Sequence, residues 1–598
     1  MAIGLQRSAL FEALGTHAPL STAIVHHGSD VTYSYGSLLR DVACTKEQLE
    51  QVTGRNESTI AGERIAFLVE NGYDYVVTLL AVLASNAIAL PLAPSFPASE
   101  IRHIINDSGA FLLLSSAKYA QQANAVLQDG LEATPLFHHL DDLKQFAVED
   151  QEVNLIGTTA TNNGGIMLYT SGTTGRPKGV LLSTNTLAAQ AQSLLTAWEY
   201  TPEDHLLHVL PLHHIHGIVN AILTPLLAGS SIEFLYPFDA HAVWERLALP
   251  FQTTQEIIPG NSGPVPHNER TPISILTAVP TVWARLLQTH STLEPETLAA
   301  AKQSISRKHL RLNISGSAAL PKPTLDGWTE LSGGNILLER YGMTEVGMAL
   351  SCGLDDSDRV PGSVGWPLPL VEVRLWEVNV DTGVGSVISL GEEIDSGSGK
   401  ERHGEIQLRG PTIFREYWRN PAATKKEFTE DGWFRTGDIA VRRTVPGCGA
   451  GKSGTWASGA AYFVQGRQSA DIIKTGGEKV SALEIERELL SLPQVNECAV
   501  VGLPSESWGQ KVAAVVLLSD DWRKTEKPWG LADMRRALKE QLVPYKIPQD
   551  LEIVPSIKRN AMGKVNKKEL VTAVFGDVER IRRRSVHIRE ERDRLKRS

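Results

Sequence analysis

The chain has 598 residues, 42% of them hydrophobic and 21% charged, which is the make-up of a folded protein and excludes a disordered or fibrous one. One hydrophobic core does not serve a chain of that length, so at least two domains are expected. A formal net charge of −10 argues against a general nucleic-acid binder, which needs a basic surface to displace counterions. The four cysteines, Cys44, Cys352, Cys448 and Cys498, stand far apart with no pair at metal-ligand spacing, as reduced thiols would. No apolar run reaches the roughly twenty residues of a membrane span. The stretch from Met1 to Gly15 holds one arginine and an early Glu12, a poor signal peptide and a weak transit peptide. The last residues do not match the peroxisomal Ser-Lys-Leu address. A cytoplasmic monomer is expected, with the mitochondrial matrix as the alternative compartment.

Strand–helix alternation begins early. Arg64 to Val69 reads as a buried strand, Tyr75 to Leu83 as a helix, and Ala87 to Leu90 and Phe111 to Leu114 as further strands. Short apolar runs separated by helical segments are the mark of a parallel α/β sheet. The same texture returns at His208 to Leu210 and Ile273 to Ala278. Residues 255–271, 381–403 and 445–459 are rich in Gly, Ser, Pro or charge and read as surface insertions. A new unit begins from Tyr462, with a domain boundary near Ser469, a strand at Glu497 to Val501 and a helix at Leu531 to Gln541. The expected fold is therefore α/β. A large N-terminal unit, 1–468, has parallel and mixed sheets layered with helices; a small mobile α+β unit, 469–575, and a charged tail, 576–598, follow. The tail, densely charged from Arg580, reads as a solvated helix or a disordered end.

The strongest local signal is YTSGTTGRPKG, Tyr169 to Gly179. Small residues let the backbone turn tightly and bring N–H groups against phosphate oxygens, and the hydroxyls and Lys178 add donors. The apolar strand Ile166 to Leu168 precedes it and the helical stretch Asn185 to Thr196 follows, so a phosphate loop is favoured over a flexible linker. Gly447 to Ser453 superficially resembles the loop of P-loop nucleotidases, but Pro446 stands where the first glycine belongs. It is expected to be a flexible insertion.

YTSGTTGRPKG resembles the phosphate-loop signature of the adenylate-forming superfamily, which includes acyl-CoA synthetases, peptide-synthetase adenylation domains and luciferases. Six further segments appear in that family's order: Pro211 to Gly217, Ile314 to Ala319, Arg340 to Glu345, Arg435 to Asp438, Gly466-Arg467 with Asp471 to Gly477, and Ile557 to Lys564. The likeness runs from about residue 10 to about residue 575. It implies an AMP-forming acid–CoA ligase using ATP, Mg2+ and coenzyme A. A carboxylate attacks the α-phosphorus with loss of pyrophosphate, and the acyl group then passes to the CoA thiol. Both first reactants are anions, so such a site must neutralise charge and align them.

By this resemblance Thr170, Ser171, Gly172, Thr173, Thr174, Gly175 and Lys178 hold the β- and γ-phosphates, with Gly316, Ser317 and Gly342 beside the nucleotide. Tyr341 packs on adenine, Thr344 donates to the α-phosphate, and Glu345 ligates Mg2+, as a hard cation requires. Asp438 takes the ribose hydroxyls with help from Arg467, and Lys564 is the catalytic lysine that bridges carboxylate and α-phosphate. Ser469 takes the place of the family's hinge, where many relatives carry Asp or Lys, and Lys474, Gly476 and Gly477 line the CoA path after rotation.

For the acid, the polar stretch His213 to Gly217 makes His214 and His216 candidate substrate contacts, with His214 also a candidate catalytic group. Arg285, expected to be buried on the helix that follows the strand ending at Ala278, would pair with a second substrate carboxylate. The combination resembles malonyl-CoA synthetases of the eukaryotic mitochondrial-type branch, so malonate or methylmalonate is expected. The alternatives are a short- or medium-chain monocarboxylate ligase, an adenylating enzyme that loads a carrier-protein thiol, a luciferase-like oxygenase and a nucleotide-binding regulator without turnover. An amino-acid activator should carry an Asp near Leu212 to Gly217, where histidines stand instead.

Overall fold

The computed structural model describes residues 3–27, 31–128, 130–143, 153–157, 163–170, 177–252, 270–379, 382–476, 478–505, 507–523, 529–559 and 565–576. Ser171, Gly172, Thr173, Thr174, Gly175, Gly477, Lys564, most of the insertion at 255–271 and the tail from 577 lie outside the described residues.

Two large sheets carry the first part of the chain. A seven-stranded sheet places the strands Arg64–Leu68, Ile88–Pro91 and Leu112–Ser115 in parallel, as their largely apolar, buried runs suggest, and the more exposed Leu136–His139 joins them in parallel at the edge. Gly165–Thr170 joins Ile88–Pro91 in parallel, and Lys178–Ser183 then returns antiparallel to Gly165–Thr170. A nine-stranded sheet contains the parallel strands His205–His208, Ile275–Ala278, Leu312–Ser315 and Leu338–Met343. Of the strand expected at His208 to Leu210, only His208 is extended within the sheet.

One core serves both sheets. It includes Ile65, Leu168 and Val180 from the first and Ile24, Leu206 and Ile275 from the second. The helix Tyr73–Ala84 is buried on nearly every side, which explains its almost continuous apolar sequence. The helix Thr184–Trp198 contacts strands of both sheets. A five-stranded antiparallel sheet follows, ending in Phe434–Arg443 and Ala461–Arg467. The remaining residues form another sheet from Ile472–Thr475, Glu478–Ser481, Val495–Ser505, Gly509–Leu518 and Asp550–Ile553. Its core is separate, built on Ile485, Leu489, Val500, Val516 and Met534. The whole is α/β, and among the described residues no helix is long and apolar enough to cross a membrane.

The strand expected before the phosphate segment and the helix expected after it are both present, as Gly165–Thr170 and Thr184–Trp198, with the antiparallel strand Lys178–Ser183 ahead of the helix. One expectation needs correction. Residues 445–459 are not a flexible insertion. Ser453 is buried and donates to Asp358 Oδ2 at 2.7 Å, Gly449 N–H donates to Asp358 Oδ1 at 2.8 Å, and Ala457 packs in a core with Trp366. Asp358, itself buried, needs those donors, and they tie the segment down. No helix follows it, so the P-loop likeness has no structural counterpart.

Candidate active site

The C-terminal ends of parallel strands gather chain turns at one edge, where open α/β sheets hold their ligands. Here Ile275–Ala278, Leu312–Ser315 and Leu338–Met343 end side by side, register-paired at Ala278–Ser315 and Ser315–Glu339. Gly316 and Ser317 follow directly, and Ser317 adopts φ +70°, an unusual conformation for a residue with a Cβ. Leu338–Met343 turns back on Gly347–Ser351 through Thr344 and Glu345, closed by Val346 N–H donating to Met343 O at 3.1 Å. Gly342 is required there, because a Cβ would lie 2.0 Å from Gly347 O.

The predicted nucleotide residues converge. Tyr341 Oη donates to Asp438 Oδ2 at 2.5 Å, and Arg467 Nε lies 3.3 Å from Asp438 Oδ1. Asp438 and Arg467 are cross-strand partners, and Asp438 N–H donates to Thr436 Oγ1 at 3.0 Å. Opposite charge directly across a ladder is the stabilising arrangement. Arg467 also feels the charge of Glu345, and its pKa is held above the ordinary value against desolvation, chiefly by Asp438. Glu345 Oε1 accepts from Tyr417 Oη at 2.9 Å, and Lys178 Nζ sits 5.0 Å from the Tyr417 ring centre. Thr170 pairs with Lys178 at the mouth of the hairpin, so both ends of the 171–176 segment meet at this cluster.

The acyl-side residues behave differently. His216 is buried, its Nε2 is 2.5 Å from Thr277 Oγ1, and its Nδ1 has no partner. Burial first, and then the Arg340 charge, drive its pKa well below the ordinary range, so it is neutral. His214 is half-buried with its ring 4.1 Å from that of His213, whose own pKa burial pushes down to about 4. Arg285 is not buried as expected. The helix Pro280–Thr289 turns Pro280, Val282, Trp283 and Leu286 inward, and at 3.6 residues per turn Arg285 falls on the exposed side.

Arg340, by contrast, is buried. It is 4% exposed, its Nε has no partner, and its Nη2 reaches only Ser317 Oγ at 3.3 Å. No carboxylate among the described residues pairs with it, and burial pushes its pKa down to about 9, leaving it charged at neutral pH. Its guanidinium lies against Gly316, where a Cβ would be 2.4 Å from Cζ. Sequence reasoning missed it, although a charge at the end of the apolar run Ile336 to Leu338 was a usable signal. Tyr417 was also missed, and no motif or periodicity marks it.

Lys474 and Gly476 form a separate group. Gly476 adopts φ +58°, donates its N–H to Trp508 O at 2.9 Å, and leaves no room for a Cβ beside the Trp508 ring. Lys474 is exposed, with its N–H on Gln510 Oε1 at 2.8 Å. Ser469 lies in the turn between Arg467 and Asp471, where Asp471 N–H donates to Arg467 O at 2.8 Å.

The AMP-binding enzyme family model matches residues 11–418, and the AMP-binding enzyme C-terminal domain model matches residues 484–564. A protein named CoA ligase from Gibberella moniliformis is 61% identical over 596 residues, covering 99% of each chain. The mitochondrial malonate–CoA ligase of Mus musculus is 38% identical over 574 residues, covering 94% of this chain and 89% of that one. The crystal structure of ATP-bound MatB from Rhodopseudomonas palustris superposes with a TM-score of 0.73 at 28% identity, covering 96% of this chain and 100% of that one. The chain belongs to the AMP-binding enzyme family.

Proposed function

We propose that this chain is an AMP-forming acid–CoA ligase whose substrate is malonate. The observation that carries the first half is the convergence of Tyr341, Asp438, Arg467, Glu345 and Lys178 on one edge of the sheets. Relatives named malonate–CoA ligase and the unpaired, buried Arg340 support the choice of acid. Arginine so placed costs too much without an anion, and the distal carboxylate of malonate supplies one.

In the first step a malonate oxygen attacks the α-phosphorus of ATP and pyrophosphate departs. Asp438 takes the ribose hydroxyls, Arg467 pairs with that carboxylate, and Tyr341 sits against the base. Thr170 and Lys178 flank the phosphate segment, Thr344 donates to the α-phosphate, and Lys564 offsets the charge that spreads over the attacking oxygen and α-phosphate. The Glu345 carboxylate fits a hard cation, since the Tyr417 hydrogen bond falls on Oε1 and leaves Oε2 for a ligand; bound Mg2+ would neutralise phosphate oxygens. In the second step the CoA sulfur attacks the acyl carbon and AMP leaves. Lys474, Gly476 and Gly477 serve that step after residues 469–575 rotate about Ser469. Arg340 holds the distal carboxylate with His214 and the neutral His216 nearby.

The test is pyrophosphate release with malonate, methylmalonate, acetate and octanoate, with and without CoA. Malonate-dependent release and CoA-dependent malonyl-CoA are expected. Turnover with acetate or octanoate in preference to malonate would remove the dicarboxylate assignment, and turnover without any need for CoA would point to a carrier thiol.

A further inference from the structure

Tyr417 lies outside every segment that the family resemblance singles out, yet it touches two groups that the proposed chemistry needs. Its hydroxyl donates to Glu345 Oε1 at 2.9 Å, and its ring faces the Lys178 ammonium, 5.0 Å from the ring centre. The side chain has little freedom. Tyr417 is 7% exposed, and its backbone pairs with Val180, two residues beyond Lys178 on the same strand. Its N–H donates to Thr424 Oγ1 at 3.0 Å, and its ring meets Phe414 edge-on with centres 4.9 Å apart. Phe414 in turn donates its N–H to Glu345 O at 2.7 Å, so one short segment grips both the backbone and the carboxylate of Glu345.

An anion and a cation gathered at one side chain would gain by collapsing into an ion pair, which would occupy the donors and acceptors that a metal–nucleotide requires. No ion pair joins Lys178 and Glu345 here. Tyr417 touches both, giving the carboxylate a neutral donor and the ammonium a π face. A cation over an aromatic face is held while its N–H donors remain uncommitted. A hydroxyl donor fixes the carboxylate rotamer while leaving its second oxygen open.

We propose that Tyr417 is a positioning residue that keeps Glu345 and Lys178 apart and oriented for the metal and the phosphates of ATP. This rests on the reading of Glu345 as metal ligand and Lys178 as phosphate donor. The two halves of its role separate by substitution. Tyr417→Phe removes only the hydroxyl, and Tyr417→Leu removes the ring as well.

The experiment is calorimetric titration of ATP into the full chain, with excess Mg2+ and with EDTA, for wild type, Tyr417→Phe, Tyr417→Leu and Glu345→Gln. Melting temperatures check folding. Tyr417→Phe should weaken Mg·ATP about three- to tenfold, the worth of one hydrogen bond, and leave metal-free ATP unchanged. Tyr417→Leu should weaken metal-free ATP as well. If Glu345→Gln weakens Mg·ATP while Tyr417→Phe does not, the inference is wrong and the metal reading stands. Equal loss with and without metal in Tyr417→Phe would mean a structural role only and also overturns it. If Glu345→Gln has no effect on Mg·ATP, the metal reading itself fails and the inference falls with it. A Tyr417→Leu chain that does not fold changes nothing, because Tyr417→Phe decides the hydroxyl.

Discussion

Tyr341 and Asp438, 97 positions apart in the chain, meet across two sheets, with the phenol donating to the carboxylate at 2.5 Å. Arg467 lies on the other oxygen, so Asp438 is bracketed by a neutral donor and a cation. A carboxylate so held presents fixed lone pairs to a diol. Asp438→Ala should therefore weaken ATP binding by roughly 10- to 100-fold, since hydrogen bonds to a charged group are worth about 1.5–3 kcal/mol. Tyr341→Phe, which leaves Arg467 in place, should cost less. Calorimetric titration of both variants with ATP checks the order, and an ATP affinity unchanged in Asp438→Ala would remove Asp438 from the nucleotide site.

Lys564→Ala should nearly abolish adenylation and leave ATP affinity largely intact. The lysine is assigned to charge that develops only in the transition state, so its loss should fall on kcat and not on KM. Electrostatic contributions of this kind run to roughly 3–4 kcal/mol, a hundredfold or more in rate. Malonate-dependent pyrophosphate release measures it, and a variant keeping most of its rate would exclude Lys564 in favour of Lys558, Lys567 or Lys568. Lys567 is the weakest of these rivals, being already held by Asp471 and Glu486 at 2.6 and 2.7 Å.

The sequence was most readable where one strand or one turn carries the whole signal. The apolar runs at Arg64, Ala87 and Phe111 became parallel strands within a residue or so, because burial on both faces demands unbroken hydrophobicity. The convergence of Tyr341, Glu345, Asp438 and Arg467, proposed above to hold the nucleotide, was also legible, since they lie in short contiguous motifs. Burial of single side chains was not. Arg285 and Arg340 both follow apolar stretches, and only the helical phase of one and the strand-end position of the other separate exposed from buried. Tyr417 depends on the pairing of Glu416–Tyr417 with Lys178–Ser183, a contact across more than two hundred residues with no local signature. Residues 445–459 have the composition of a loop and are held by the carboxylate of Asp358, which composition does not reveal.

Gly476→Leu should separate the half-reactions. At φ +58° any Cβ is strained, and here it would lie 2.7 Å from the Trp508 ring, so the hairpin turn must shift. Because that turn is assigned to the CoA path, single-turnover adenylate formation should persist while malonyl-CoA formation fails. Equal loss of both steps would show that the turn does not line the path.

Glu339 gives a pH prediction with a definite sign. It is buried, accepts from Gly362 N–H at 3.1 Å, and burial raises its pKa to about 7 against the opposing pull of Arg487. In the unfolded chain the carboxyl ionises near its ordinary value, well below that. Between the two pKa values the folded protein holds a proton that the unfolded chain has released, so this group's contribution to stability falls as pH rises to about 7 and then levels off. Glu339→Gln removes the linkage. Its stability relative to wild type should rise from pH 5 to pH 8 by at most about 3 kcal/mol. Thermal unfolding at the two pH values decides it, and a difference independent of pH would mean that Glu339 is already ionised at pH 5.

Acid specificity should lie with Arg340 more than with Arg285. Arg340 is buried beside neutral His216, packed on Gly316, and has no carboxylate partner among the described residues, whereas the exposed Arg285 is screened by water and salt. A site built round a charge rejects acids that leave it unpaired, so wild type should favour malonate over acetate. Arg340→Met keeps the volume and removes the charge. It should lower kcat/KM for malonate a hundredfold or more, in line with the roughly 3–5 kcal/mol cost of breaking a buried pair, and leave acetate unchanged or improved. Arg340→Lys should recover little, because an ammonium lacks the planar fork that meets a carboxylate with two bonds. Arg285→Ala should move the ratio less than about tenfold, as an exposed pair is worth 1 kcal/mol or so. The decisive measurement is the malonate-to-acetate ratio of kcat/KM in the four proteins. If Arg285→Ala collapses that ratio and Arg340→Met does not, the distal carboxylate reaches the exposed helix face, and Arg340 is only a buried structural cation.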